Sequence, residues 1–295
     1  MITIAGGTGN LGSALIPRLL AHGLKVRVIT RDPSHVSSRM PSGVEVVVAD
    51  VREPEALRVA IAGTSTLISA ITGFGGPDAA GAATIDRDGN YNLIEAAKAN
   101  GVGHVILLSV AQAAADHPIQ LFRMKFAAEQ ELRASGLAWT IIRPTAYMET
   151  WVGIVGGPLV ETGKTRIFGA GNNPINFVSA TDVAELVQLA ATEPGLCSQI
   201  IDVGGPANLT LNELAACFQA TTGWSGETSH APRPMMRVMS VLLRPVKPVL
   251  AAQMQASVIM DTRDMSFDGL AARRQFPSVA STSLQAMIAR DYVRS

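Results

Sequence analysis

Met1-Ile2-Thr3-Ile4-Ala5-Gly6-Gly7-Thr8-Gly9-Asn10-Leu11-Gly12 opens the chain, and its reading decides the fold. Residues 2–5 have the uninterrupted pattern of a buried strand. Residues 11–22 carry apolar side chains at helical spacing and stop at Gly23. Between them glycine recurs in two overlapping registers. G-x-x-G-x-x-G runs through Gly6, Gly9 and Gly12, and G-x-G-x-x-G through Gly7, Gly9 and Gly12. Glycine permits a tight turn and close approach of the backbone to a pyrophosphate. The helix N-terminus behind it offers unpaired N–H groups to an anion. A strand, loop and helix so arranged are expected to hold a dinucleotide through Gly6, Thr8, Gly9, Asn10, Leu11 and Gly12. The bland alternative is an ordinary glycine-rich turn.

The same rhythm continues outward. Strands are expected at 25–30, 44–49, 66–71, 105–110 and 139–143. They alternate with helices at 33–39, 54–62, 86–100 and 119–135, three of them closed by Gly63, Gly101 and Gly136. Continuous apolar strands alternating with helices imply an α/β chain with a doubly wound parallel sheet of the Rossmann type. Residues 1–150 are expected to form the dinucleotide-binding domain, with segments such as 177–203 returning to it. Residues 151–295 are expected to form mainly a smaller substrate-binding lobe. After Pro144 the rhythm breaks. Residues 153–171 read as a glycine-rich loop, with short strands at 166–168, 176–178 and 200–203 and a helix at 181–192. Thr210 and Glu213 form a capping box for a helix at 210–222. Beyond Gly223 the Pro- and Met-rich sequence assigns no element.

Composition removes several function classes. The 295 residues include 24 Lys plus Arg against 24 Asp plus Glu, which argues against a nucleic-acid footprint over the whole surface. Aromatics at 5% make stacking platforms for single strands a poor fit. Cys197 and Cys217 supply neither a disulfide framework nor a zinc cluster, and the five histidines are scattered, so no metal is expected. Met1 runs into the first strand without a basic leader. The apolar stretch 235–260 is interrupted by Arg237, Arg244, Pro245, Lys247 and Pro248. The expectation is a soluble cytoplasmic protein, monomer or homodimer, with a small-molecule substrate and neither nucleic acid nor membrane as partner. The Met-rich stretch is expected to pack in the core or an oligomer contact, ahead of forming a lid for a bulky apolar substrate.

The second strand ends Thr30-Arg31-Asp32-Pro33. An acid at this place would hold a ribose 2′-hydroxyl, whereas Arg31 suits a 2′-phosphate with a charge-assisted fork. Asp32 before Pro33 reads as a helix cap. The cofactor is therefore expected to be NADP(H), ahead of NAD(H). Asp50 after the third strand either borders the adenine or caps a turn. Ser69-Ala70-Ile71-Thr72-Gly73 is small enough to let a cofactor pass.

These residues resemble the short-chain dehydrogenase/reductase superfamily through GGTGNLG, TRDP and Ala49-Asp50. Leu107–Gln112, Lys125–Glu149, Phe177–Val187 and Asp202–Ala215 are similar to its atypical NmrA-like branch over nearly the whole chain. The branch includes NAD(P)H-dependent quinone, triarylmethane-dye and isoflavone-type reductases, and NmrA-type dinucleotide sensors without known turnover. The resemblance implies a cofactor-facing set that adds Arg31, Asp50, Val51, Ser69, Ala70, Lys125 and Pro144 to the glycine loop.

Ordinary members of the superfamily use Tyr-x-x-x-Lys, where Lys lowers the pKa of a proton-donating Tyr. Here Lys125 matches the lysine, but Leu121 stands in the tyrosine's place, and no Tyr-x-x-x-Lys occurs anywhere. Lys125 is expected to bind the nicotinamide ribose or donate a proton. Its bland reading is a surface pair with Glu129. Tyr147, just after Arg143-Pro144-Thr145, is a second candidate donor. Ser109, at the end of the fifth strand, is either a site residue or a small strand-end filler. His117 reads as a capping or surface residue rather than a catalytic one. The leading expectation is an NADPH-dependent reductase of an apolar acceptor. The alternatives are a dinucleotide sensor without turnover and a biosynthetic epimerase, dehydratase or cyclase.

Overall fold

β1 (Ile2–Ala5) buries all four of its residues. An apolar strand of this kind is stable only with helices covering both sheet faces. β2 (Val26–Thr30) and β4 (Thr66–Ser69) pair with it in parallel, placing Ile4 opposite both Val28 and Ile68. β3 (Val44–Val48) extends one side, and β5 (His104–Leu108) and β6 (Trp139–Pro144) the other, again in parallel. With β10 (Gln199–Val203) the order is β10-β6-β5-β4-β1-β2-β3. The chain runs outward from β1 in one direction, then returns to β4 and runs outward in the other. The strand order thus reverses between β1 and β4, the place at which doubly wound sheets in general leave a crevice beyond the strands' carboxyl ends.

The computed structural model describes residues 1–33, 40–74, 81–269 and 274–293. The helix expected at 33–39 lies, beyond Pro33, outside these residues. α1 (Asn10–Ala21) buries Leu11, Leu15, Ile16 and Leu19, one stripe at helical spacing. α2 (Pro54–Ala60), α3 (Asn90–Ala99) and α4 (Gln120–Ala134) follow. Leu57, Ile61, Leu93, Ala97, Ala128 and Leu132 pack in one cluster with Leu67, Val105 and Ile141 from the sheet. The doubly wound parallel sheet read from the sequence is therefore the sheet observed. The third helix differs from expectation. Residues 81–82 are already helical, and a π-helical turn over Ala83–Gly89 follows before the chain continues as α3.

The chain divides into two units, Met1–Arg143 with Val183–Asp202, and Pro144–Asp182 with Val203–Ser295. The second contains β7 (Ala146–Tyr147), β9 (Ile175–Val178) and β11 (Asn208–Leu209) as one small sheet. β8 (Lys164–Phe168) and β12 (Glu227–Ala231) form another, in parallel. The segment 153–171, expected as loop apart from a short strand at 166–168, instead holds the last three residues of α5 (Met148–Val155) and all of α6 (Gly157–Thr162), and its expected strand is β8. Glycine propensity is overridden here by packing. Met148, Trp151, Val152 and Val155 form a buried stripe, and a Cβ at Gly156 would lie 2.7 Å from the Phe218 ring.

α7 (Ala180–Thr192) is followed by α8 (Leu211–Thr222), which carries the expected capping box between Thr210 and Glu213. The unassigned C-terminal stretch folds into β12, α9 (Arg233–Leu242), α10 (Pro248–Met260) and α11 (Leu284–Tyr292). Asn176 ties the small sheet together. Its side chain accepts from Thr145 Oγ1 and Gly205 N, and donates to Asn208 Oδ1 at 3.0 Å. No helix among the described residues is long and apolar enough to cross a membrane. No group of His, Cys, Asp and Glu among them could hold a metal ion.

Candidate functional site

Between β1 and α1, Gly6 has φ +88°, a left-handed conformation that favours glycine. A Cβ on it would lie 2.5 Å from the Ala70 carbonyl oxygen, so the loop leans directly on the end of β4. Gly12 is equally constrained, since its Cβ would lie 2.3 Å from the Gly7 carbonyl oxygen. Gly9 is different. Its backbone is extended, at φ −82° and ψ 178°, and among the described residues a Cβ there would meet only the Gly6 oxygen, at 3.6 Å. Packing against the described residues accounts for glycine at 6 and 12 but not at 9. The space over Gly9 is what a ligand's approach to the backbone requires. Gly9 is also the N-cap of α1, with no side-chain cap and no acid in the first turn. Thr8, Gly9 and Asn10 are exposed, while Leu11 and Gly12 are buried. The loop therefore fits a pyrophosphate over the helix N-terminus.

At the neighbouring strand ends, Arg31 follows β2 and is exposed. Thr30 turns back on Asp32, accepting from its N–H and donating to its carbonyl. Asp50, beyond β3, accepts from Arg52 N and Nε, both at 2.9 Å. The Arg52 hydrogen bonds hold the Asp50 carboxyl below its usual range against the opposing effect of burial, with Arg31 adding a smaller attraction. Val51 is buried in the core, and its carbonyl accepts from Asn92 Nδ2.

Lys125 is buried on α4 beneath the ends of β4 and β5. Its Nζ donates to the Ile71 oxygen at 2.7 Å and the Leu108 oxygen at 2.9 Å, and lies 3.2 Å from Asp86 Oδ1. Asp86 Oδ2 accepts from Gly73 N, and the Asp86 carbonyl accepts from Asn90 Nδ2. Asn90 Oδ1 in turn accepts from Ser69 Oγ at 2.6 Å. Ser69, Ala70 and Lys125 are thus brought to one end of the sheet with the glycine loop. Asp86 and Asn90 join them without having been singled out in the sequence. A signal was present: 86, 90, 93 and 97 fall on one helical stripe, and Leu93 and Ala97 are buried in it.

One turn along α4, Glu129 is also fully buried. It accepts from the Ser109 hydroxyl and from Arg143 Nε and Nη2. This pairing corrects the surface Lys125–Glu129 reading: each residue faces inward and holds a different partner. The Glu129 hydrogen bonds raise the Arg143 pKa, and burial raises that of Asp202. His117 is buried and stacks on Phe122 at 4.1 Å, with Nδ1 accepting from Ile119 N. Its surroundings are those of a structural residue.

In the second unit Pro144 is buried, and Tyr147 pairs with Val178 across β7 and β9. The Tyr147 hydroxyl has no hydrogen-bond partner among the described residues. Its pKa is pushed up by burial and further by the Glu149 charge. Glu149 is anchored by Ser179 Oγ and Ala180 N, both at 2.8 Å. Trp151 packs edge-on against Phe168 and Phe177, as a core residue does.

A family model described as NAD(P)H-binding matches residues 6–194. The chain is 30% identical over 223 residues to the NAD(P)H azoreductase of Xenophilus azovorans, covering 76% of this chain and 74% of that one. It is 23% identical over 243 residues to the photosystem II assembly factor Ycf39 of Synechocystis, covering 82% and 74%. Among solved structures, the Escherichia coli NADPH-dependent quinone oxidoreductase QOR2 complexed with NADPH has the same fold. Its TM-score is 0.76 at 22% identity, over 98% of this chain and 99% of that one. With the open glycine loop inside the matched segment, the chain belongs to the NAD(P)H-binding family, of which the NAD(P)H azoreductase is a relative.

Proposed function

We propose that the chain is an NADPH-dependent reductase that delivers hydride to a small or medium apolar acceptor, such as a quinone, enone, ketone or iminium-like cation. The observation that carries this reading is the space over Gly9 at the start of α1, which packing among the described residues does not explain. The azoreductase relative supports reduction as the reaction class. A bound nicotinamide supplies the hydride, and the protein supplies binding and orientation. The glycine loop and the α1 N–H groups hold the pyrophosphate. Arg31 pairs with the 2′-phosphate, which favours NADPH over NADH.

Lys125 and Ser109 act as positioning residues in this proposal. The ammonium fastens the ends of β4 and β5 to Asp86, and the hydroxyl is engaged by Glu129. Tyr147 is the group left to give a proton, since its hydroxyl has no hydrogen-bond partner among the described residues and desolvation favours its neutral form. Acceptors that need little proton assistance suit a chain without Tyr-x-x-x-Lys.

A second reading is a dinucleotide-dependent regulatory protein without turnover. The engaged state of Lys125 favours it, and so does the likeness to an assembly factor. Nicotinamide fluorescence titration with NADPH and NADH, followed by a simple quinone, tests both readings. Tighter NADPH binding and oxidation on adding quinone are expected. Tight binding without oxidation favours the regulatory reading, and failure to bind either nucleotide overturns both.

A further inference from the structure

Sixteen large apolar side chains are exposed among the described residues, and six of them lie within one short stretch of the second unit: Met235, Val238, Val241, Leu242, Val246 and Leu250. The stretch is α9, the turn after it and the start of α10. Val241 and Val246 are 71% and 75% exposed, so this is not a shallow rim. Met235, Val238 and Leu242 stand at helical spacing on one face of α9. Met236 turns the other way and packs with Ala231, Val258 and Phe168. The inner face of α9 is therefore already satisfied, and the outer face is a separate apolar surface.

Its charge is one-sided. No acidic residue occurs from 228 to 260. Arg237, Arg244 and Lys247 are exposed within the same stretch, whereas Arg233 is engaged by Asp261. A symmetric contact with a second copy would bring these cations against themselves. A surface of dense negative charge above an apolar interior complements both properties.

We propose that this face docks on an anionic lipid surface. Its apolar side chains enter the headgroup boundary, and Arg237, Arg244 and Lys247 meet lipid phosphates. The expectation of no membrane partner rested on the lack of a spanning segment, and a helix lying on lipid needs none. The inference does not depend on the reductase reading.

Flotation of the full chain with vesicles of equal phosphatidylglycerol and phosphatidylcholine, against phosphatidylcholine alone, tests it. The chain is expected to float with the anionic vesicles only, and less at high salt. Each basic residue is worth roughly fivefold in partition, so Arg237→Gln/Arg244→Gln/Lys247→Gln should lose about a hundredfold. Val241→Asp/Val246→Asp should lose on the order of tenfold or more. All five positions are exposed, so unchanged thermal melting identifies folded variants. Should the aspartate variant misfold, the glutamine variant carries the test. Three results overturn the proposal. The wild type fails to float, it floats equally with neutral vesicles, or light scattering finds a dimer that the aspartate variant dissociates.

Discussion

Lys125 and Glu129 stand one turn apart on α4, both buried, and they do not pair with each other. Lys125 reaches Asp86 in the π-helical turn, and Glu129 reaches Arg143 at the end of β6. Two opposite charges on a helix at this spacing read as a solvated pair. Here the helix turns both inward, and each charge finds its counterpart on another element. The two pairs pin α4 to the carboxyl ends of β4, β5 and β6, on the side of the sheet where the glycine loop opens.

Removing one member of the first pair leaves a buried charge without compensation. Asp86→Ala should therefore cost about 3–5 kcal/mol of stability, and Lys125→Met a similar amount. The double variant should recover most of that loss, because an apolar replacement of a whole buried pair is often neutral. Denaturant unfolding of the four proteins measures the coupling. Simple addition of the two single losses would mean that Asp86 and Lys125 act independently.

The glycine loop separates folding from binding. Gly12→Ala forces a Cβ to 2.3 Å from a backbone oxygen, and should destabilise by about 1–3 kcal/mol. Gly9→Ala has an allowed backbone and nothing among the described residues closer than 3.6 Å. It should melt at or slightly above the wild type, by about 0.4–1 kcal/mol from the loss of chain entropy. Its affinity for NADPH should nevertheless fall on the order of tenfold or more, because the methyl group stands where the pyrophosphate approaches. Thermal melting and fluorescence titration of the same samples check both halves. Undiminished NADPH binding by Gly9→Ala would remove the main support for the site.

Arg31→Ala should weaken NADPH roughly tenfold to a hundredfold while leaving NADH nearly unchanged, because only the former carries the 2′-phosphate. The difference should shrink with added salt, since the side chain is exposed. Titrating both nucleotides at low and high ionic strength reads this directly. Equal losses for the two would show that Arg31 acts on the fold or on their shared pyrophosphate.

The sheet was legible because its signals are local. Apolar runs such as 2–5 and the glycines ending the helices carry their meaning within a few residues. The loop at 6–12 was legible for the same reason. The buried network was not, because Asp86 meets Lys125 from 39 positions away, and composition rules send acids to solvent. Only helical phase could have exposed it: Asp86 and Asn90 continue the stripe of Leu93 and Ala97, and Lys125 and Glu129 continue that of Ala128 and Leu132. The error over 153–171 has a related cause. Glycine at 153, 156 and 157 argues against helix locally, but Gly156 is needed where α5 passes the ring of Phe218.

The proton on Tyr147 bears on alkaline stability and, under the proposed reductase function, on turnover. Burial and Glu149 raise its pKa above the ordinary 10.0 of a phenol. Below about pH 10 the hydroxyl is neutral whether the chain is folded or unfolded, and its contribution to stability does not vary. Above that pH the unfolded chain loses this proton first, which draws the equilibrium toward unfolding. Stability should therefore fall as pH rises past about 10, and Tyr147→Phe should lose less over the same window. For turnover, the neutral hydroxyl remains a donor throughout the neutral and mildly alkaline range, so kcat should show no alkaline limb from Tyr147 there. If it donates the proton, Tyr147→Phe should lower kcat by about a hundredfold or more with an acceptor that needs protonation. The loss should be small with an acceptor that does not. Denaturant melts from neutral to alkaline pH, with kcat measured on both acceptors, separate the two effects. An unchanged kcat beside the altered alkaline melt would assign Tyr147 to packing and the proton to solvent.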